Sequence, residues 1–305
     1  MISLITGIGG FVGPHLARHL IEAGHEVVGI ERSQRDVPGC RVVSCDILDM
    51  KHVDMVVEQS RPDFVFNLAA VNSVGESMKD PEITRNVNID GARNVLDSML
   101  RHCPDASVLM VSTAHVYGIP SMLPISESHP LNPISPYASS RAEQEALAVE
   151  YFRKHGLKIV VSRSFNHTGP GQAPGFICSD FARQIADIEN GSEPVMKVGN
   201  LSSRRDFTDV RDIVRAYLLA LEKCRAGEVY NVCSGRAYSA KDILGMLLGM
   251  TDKKISVVED KTARKGDIPV LVGNNSKFVN ATGWHPDIPF EKTLRDLLDD
   301  WRKKV

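Results

Sequence analysis

Neither sign of charge is in excess: 36 Lys and Arg face 38 Asp and Glu across 305 residues, a formal net charge of −2. A polybasic coat for nucleic acid or an anionic membrane surface is therefore not expected. Long apolar runs are missing as well. Runs such as 243–250 and 108–111 fall far short of the roughly 18 residues that span a bilayer. The opening Met-Ile-Ser-Leu-Ile-Thr-Gly has no basic segment ahead of its apolar stretch, so no secretory leader is expected and the cytoplasm is the expected compartment. Cysteines are few, six in all, and no two stand in the Cys-x-x-Cys spacing of a zinc ribbon or redox pair. They read as buried thiols in a reducing compartment. His15 and His19 have the helical spacing of two zinc ligands, but no Glu follows His15, so the motif is incomplete and no metal site is expected. What remains is ordinary for a globular protein. Hydrophobic residues make up 43% and charged residues 24%, enough for a large core and too apolar for a disordered chain.

Short β-branched runs at 2–5, 26–30, 41–44, 64–68, 107–112 and 158–163 alternate with helix-length segments and lack polar alternation. Strands covered by helices on both faces have this pattern, which predicts an α/β fold with a doubly wound parallel sheet. A run at 228–233 could add a seventh strand after a helix over 209–224. The stretches 166–205 and 234–289 hold much of the Gly, Pro, Asn and charge. They predict a smaller lobe interleaved with the sheet: 1–165 and a return at 206–233 for the nucleotide fold, 166–205 and 234–305 for the lobe.

Directly after the first run stands Thr6-Gly7-Ile8-Gly9-Gly10-Phe11-Val12-Gly13, opening a helix through Ala17 and Leu20. Gly7, Gly10 and Gly13 permit a tight turn, close approach of main chain to a pyrophosphate, and close helix packing. The helix N-terminus that follows offers N–H groups and a positive dipole end, and Pro14 suits its first turn. Strand, loop and helix in this order predict dinucleotide binding, with Phe11 and Val12 in the loop. Glu31 ends the second run 18 residues after Gly13, where a carboxylate accepts from ribose hydroxyls and would repel a 2′-phosphate. Arg32 and Ser33 could instead hold that phosphate, so NAD(H) is favoured modestly over NADP(H). Asp46-Ile47, after the third run, is placed to meet the adenine.

Ser135-Pro136-Tyr137 starts another helix, with Ser135 as N-cap and Arg141 one turn beyond Tyr137 on the same face. A tyrosine with an unperturbed pKa of about 10 needs a neighbouring cation to exchange protons near neutrality. Thr113, ending the fifth run, is the natural hydroxyl to hold a carbonyl oxygen beside it.

Together with Asn67-Leu68-Ala69-Ala70, Thr113 ahead of Tyr117-Gly118, and Tyr137 in a Tyr-x-x-x-basic frame, the glycine pattern resembles the extended short-chain dehydrogenases that act on nucleotide sugars. The later half carries Ser164-Phe165-Asn166-His167-Thr168-Gly169-Pro170-Gly171-Gln172, Lys197-Val198-Gly199-Asn200-Leu201, Arg205-Asp206-Phe207-Thr208-Asp209-Val210-Arg211-Asp212 and Val229-Tyr230-Asn231-Val232-Cys233-Ser234-Gly235. These segments closely resemble GDP-4-keto-6-deoxy-D-mannose reductases. The resemblance implies a Rossmann fold with Leu68, Ala69 and Ala70 against the cofactor and a GDP-sugar substrate. Thr113 and Tyr137 would bind the C4 oxygen, Tyr137 would pass the proton, and residue 141 would hold the nicotinamide ribose. Asn166, Lys197, Arg205, Arg264 and Asp267 would hold the sugar, nucleotide and diphosphate.

The resemblance also implies a homodimer through 83–100, with Val87, Val95 and Met99, and 137–152, with Ala142, Leu147 and Val149. Where the family has Lys, this chain has Arg141, whose longer, planar guanidinium cannot release a proton. Arg141→Lys is accordingly expected to raise turnover. Where nucleotide-sugar dehydratases carry an acidic residue, this chain has Ala114-His115. The expected activity is reduction of a GDP-4-keto-6-deoxyhexose at C4, of the GDP-D-rhamnose-forming type. A 4-epimerase, a 4,6-dehydratase and a nucleotide-binding scaffold without turnover stand as alternatives.

Overall fold

The computed structural model describes residues 1–260 and 268–305. In chain order the nucleotide fold begins β1 (Ile2–Thr6), α1 (Val12–Glu22), β2 (Glu26–Glu31), β3 (Arg41–Ser44), α2 (Met50–Ser60) and β4 (Phe64–Asn67). There follow α3 (Val74–Lys79), α4 (Pro81–Arg85), α5 (Gly91–His102), β5 (Ser107–Thr113), α6 (Pro136–His155) and β6 (Lys158–Ser164). The lobe and the return comprise β7 (Asn166–Thr168), α7 (Ile177–Glu189), β8 (Val195–Val198), β9 (Arg204–Asp209), α8 (Val210–Lys223) and β10 (Val229–Val232). The chain ends β11 (Ala237–Ser239), α9 (Ala240–Leu248), β12 (Ser256–Glu259), β13 (Val270–Leu271), α10 (Ser276–Thr282) and α11 (Phe290–Arg302).

Seven parallel strands form the main sheet in the order β10-β6-β5-β4-β1-β2-β3. All six predicted runs are in it, and 228–233 supplies the seventh strand. Both faces are covered, as the unalternating runs require. One core layer joins Leu4, Val65 and Val108 to Val56, Val95, Met99 and Leu147 of α2, α5 and α6. The other joins Ile5, Phe66 and Leu109 to Leu16 and Leu20 of α1 and Ile213 and Tyr217 of α8. The strand order reverses between β1 and β4, and the crevice beyond their carboxyl ends is where open α/β sheets bind ligands.

The boundaries differ from the sequence expectation in two places. The return to the nucleotide fold begins at Val210, because β9 belongs to the lobe, where it pairs with β7, β11 and β13. The chain also comes back a second time. Phe278 of α10 and Trp284 are buried in the core layer under α8, with Trp284 Nε1 donating to Asp212 O at 3.0 Å. The lobe has its own core, in which Phe181, Ile185, Phe207, Leu244, Leu294 and Trp301 pack together.

Helix α6 is seated by a buried ion pair rather than by apolar contact alone. Arg163 of β6 donates to Glu145 from Nη2 at 2.7 Å and to the Tyr117 hydroxyl from Nη1 at 3.0 Å. Ser112 Oγ completes the carboxylate at 2.5 Å. Removing one member of such a pair strands a buried charge, at a cost of about 3–5 kcal/mol. Burial pushes the Tyr117 phenol up to about 12, so it stays protonated and donates to Asn231 Oδ1 at 2.7 Å.

Candidate active site

The cofactor side of the crevice is made of main chain. Gly7 has φ +68°, and a Cβ there would lie 2.8 Å from Ala69 Cα. At Gly13 a Cβ would fall 2.1 Å from Ile8 O. Glycine at both is thus a steric requirement of the strand-to-helix turn. Beneath the turn, Thr6 Oγ1 accepts from Ala69 N at 3.1 Å and donates to Asn67 Oδ1 at 2.8 Å, which ties the ends of β1 and β4 together. Helix α1 then starts with no side-chain cap and no acidic residue in its first turn, so its dipole end is left for an anion.

Glu31 closes over this loop. Its Oε2 accepts from Gly9 N at 2.8 Å and its Oε1 from Arg32 N at 3.0 Å. Arg35, which the sequence reading missed, donates Nη1 to Gly9 O at 2.5 Å. A second arginine three residues after Arg32 was the available signal. Asp46 spends one oxygen on its own turn, accepting from Leu48 N at 2.9 Å, while Ile47 is buried against Gly91. Phe11 reaches across the crevice and stacks on His167 at 6.2 Å between centroids, and His15 Nε2 lies 2.9 Å from Pro170 O. The glycine loop is thereby joined to the lobe segment that carries Asn166. Burial lowers the pKa of both histidines, so each is neutral at this joint at pH 7.

The opposite side, where the candidate catalytic residues stand, is made of buried side chains. Thr113 ends β5 and caps the following turn, its Oγ1 accepting from His115 N at 3.3 Å. Ser135 caps α6 as expected, accepting from Ala138 N at 3.2 Å. Tyr137 is 8% exposed and Arg141 4%, with the guanidinium carbon 5.7 Å from the phenol centroid. The His115 ring stands edge-on to Tyr137 at 6.1 Å. Ala114 is buried with Val116, Tyr117 and Phe165 and offers no acid.

Arg141 is held from one side. Its Nη1 donates to Val111 O and to Gln144 Oε1, both at 2.8 Å, while its buried Nε has no partner. A buried donor left unfilled costs about 1–3 kcal/mol. Together with the glycine cradle, this orphan donor fits a bound dinucleotide.

The lobe residues are less closely gathered. Asn166 opens β7, half-buried, and pairs in register with Phe207 of β9. Arg205 is half-buried on β9, where its Nη1 donates to Arg204 O at 3.0 Å; Lys197 is exposed on β8. Arg264 and Asp267 lie outside the described residues. The acids of the 205–212 motif are structural. Asp206, wholly buried, accepts from Ser234 N, Ser234 Oγ, Gly235 N and Gly273 N at 2.6–3.2 Å. Burial raises its pKa against the pull of those four donors. Among the described residues no group of three or more His, Cys, Asp or Glu is placed to hold a metal ion.

The sequence model of the GDP-mannose 4,6 dehydratase family matches residues 4–297. The chain belongs to that family. It is similar to the GDP-6-deoxy-D-mannose reductase of Pseudomonas aeruginosa, with 32% identity over 99% of this chain and 97% of that protein. The structure of RMD from the same organism, complexed with NADPH, superposes with a TM-score of 0.90 at 32% identity, covering 100% of this chain and 99% of that one. The UDP-glucose 4-epimerase of Thermus thermophilus, complexed with NAD, superposes with a TM-score of 0.91 at 28% identity and covers 100% of both chains. Solved structures similar to this chain thus include one complexed with NADPH and one with NAD, on the fold that this sequence predicts. No described helix is long and apolar enough to cross a membrane.

Proposed function

We propose that this member of the GDP-mannose 4,6 dehydratase family is a 4-ketoreductase of GDP-4-keto-6-deoxyhexoses, converting GDP-4-keto-6-deoxy-D-mannose to a GDP-6-deoxyhexose of the GDP-D-rhamnose type. The observation that carries the reading is the buried Tyr137–Arg141 pair, combined with Ala114 where elimination of water would need an acid. When bound, NADH or NADPH supplies the hydride for C4. Thr113 and Tyr137 would hold the C4 oxygen, and Tyr137 would give its phenolic proton to the oxygen as negative charge develops there. The Arg141 guanidinium carbon, 5.7 Å from the phenol centroid, keeps a positive charge beside that oxygen throughout. Gly7, Gly10, Phe11, Val12 and Gly13 would hold the pyrophosphate, with Leu68, Ala69 and Ala70 beside it. Asp46 and Ile47 would meet the adenine, and Arg141 Nε would donate to the nicotinamide ribose. Asn166, Lys197, Arg205, Arg264 and Asp267 would hold the GDP-sugar.

Glu31 supports a modest preference for NADH, and Arg35 beside it supports acceptance of NADPH. Incubation with either cofactor and GDP-4-keto-6-deoxymannose, following nicotinamide absorbance and identifying the product, tests the reading. Oxidation of the cofactor with formation of a GDP-6-deoxyhexose is expected. Release of a 4-keto sugar from GDP-mannose would instead identify a dehydratase, and tight binding of both ligands without turnover a scaffold.

A homodimer belongs to the same proposal, with its contact face revised. Val95, Met99 and Leu147 face the subunit's own core, and 83–100 is broken by a π turn at Asn86–Asp90. The face left for a partner comprises Ile83, Ala142, Ala146 and Val149, beside a groove that also includes Leu131 and Val229 and is rimmed by Arg153 and Lys154. Light scattering at micromolar concentration is expected to give twice the chain mass.

A further inference from the structure

Arg141 differs from a lysine in needing a fixed plane, and the neighbouring residues supply one. Nη1 has two hydrogens, and both are accepted: one by Val111 O of β5, the other by Gln144 Oε1 one turn further along α6. Gln144 is fully buried and is held in turn, its Nε2 donating to Asn88 O at 2.9 Å. Asn88 sits in the π turn between α4 and α5, a local widening that is uncommon and concentrated at functional sites. Its own amide is saturated. Nδ2 donates to Ser140 Oγ at 2.8 Å and Val71 O at 3.1 Å, and Oδ1 accepts from Val71 N at 2.9 Å. Ser140 Oγ donates to Tyr137 O at 2.9 Å. One continuous set of hydrogen bonds therefore links the π turn, the segment after β4, Tyr137 and the guanidinium, and it leaves Arg141 Nε as a buried donor without a partner.

We propose that Gln144 is a positioning residue which, braced by Asn88, locks the Arg141 guanidinium so that Nε–H is presented to the ribose hydroxyls of a bound nicotinamide cofactor while the charge stays against Tyr137. The inference rests on the reductase reading for its kinetic consequences but not for its effect on cofactor binding. A planar donor fork turned about its own axis misses its acceptor altogether, whereas an ammonium would find one from several directions, so arginine at 141 requires a brace that lysine would not.

The test is a double-mutant cycle on the full-length protein. Gln144→Leu removes both bonds, Gln144→Glu keeps an acceptor for Arg141, and each is made alone and with Arg141→Ala. Cofactor affinity is read from NADPH and NADH fluorescence titrations, alongside kcat and KM for the 4-keto sugar nucleotide. Gln144→Leu is expected to weaken cofactor binding and lower kcat by about 10-fold or more, with KM for the sugar nucleotide changed by less than about 2-fold. Gln144→Glu is expected to recover most of the loss. In the Arg141→Ala background Gln144→Leu is expected to cost less than about 2-fold, because contacting residues couple. Equal losses in both backgrounds, or no recovery by Gln144→Glu, would overturn the proposal and assign Gln144 to helix packing. If the parent protein reduces no 4-keto sugar nucleotide, the reductase reading fails by itself, and the titrations still decide the role of Gln144. Should Gln144→Leu not fold, the comparison of Gln144→Glu in the two backgrounds decides it: a loss that persists without Arg141 overturns the proposal.

Discussion

At the glycine turn the surface of the crevice is main chain, shaped by glycines that tolerate no Cβ; around Tyr137, the candidate catalytic side, it is a set of buried side chains, each held by another. Gly7 and Gly13 are fixed by atoms close in the chain or across one strand pair. Tyr137, Arg141 and Gln144 depend on Asn88, Val111 and Val71, contributed by three separate segments. The comparison teaches that the two sides fail differently. A change in the glycine loop is steric and local, and one in the catalytic set propagates through hydrogen bonds.

Substitutions can break that contrast or sharpen it. The largest effect is expected at Tyr137: Tyr137→Phe should lower kcat by on the order of 10² to 10⁴, the range for a positioned proton donor, with cofactor affinity nearly intact in titrations. Next is Gly13→Ala, whose Cβ would meet Ile8 O. It should destabilise the fold by about 3 kcal/mol, read by denaturant unfolding, because the clash is with backbone that cannot move aside. Arg141→Lys comes third. Sequence alone favours faster turnover with lysine; the bonds to Val111 O and Gln144 give reason to expect the reverse, a loss of about 10-fold in kcat, since the acceptors around residue 141 are set to the reach and plane of a guanidinium and the shorter lysine places its one nitrogen elsewhere. Faster turnover would show that Arg141 is misplaced rather than braced.

Smaller effects are expected at the rim. Arg35→Ala should weaken NADPH by about 5-fold and NADH less, a modest figure because Arg35 is exposed and screened. Glu31→Ala should erase any preference for NADH in the same titrations. Smallest of all, His115→Ala should change kcat by less than about 3-fold, its ring being a neighbour of Tyr137 rather than the assigned donor. A larger loss there than at Tyr137 would reassign the proton.

Legibility followed the same division. The strand runs, the glycine turn, the Ser135 cap and the shared face of Tyr137 and Arg141 are short-range patterns, and each is present at its place. Glu31 could be placed at the loop from its distance to Gly13, but Arg35 could not, because its reach back to Gly9 depends on how 32–40 folds over. Asp206 reads as one acid in a motif and becomes, in three dimensions, the acceptor for three separate main-chain N–H groups. The helical periodicity of 83–100 hid a π turn, since one extra residue in a turn leaves the apolar pattern nearly unchanged.

What the sequence by itself determined was therefore the sheet, its glycine turn and the shared helix face of Tyr137 and Arg141, all of which follow from spacing within about one strand or one helical turn. Tertiary structure alone decided which side of the Arg141 guanidinium is occupied, that α10 returns to the nucleotide core, and that Val95, Met99 and Leu147 pack into the subunit's own core. Each of these depends on hydrogen bonds or packing between segments tens to hundreds of residues apart, where a pattern read along one segment carries no information about the other.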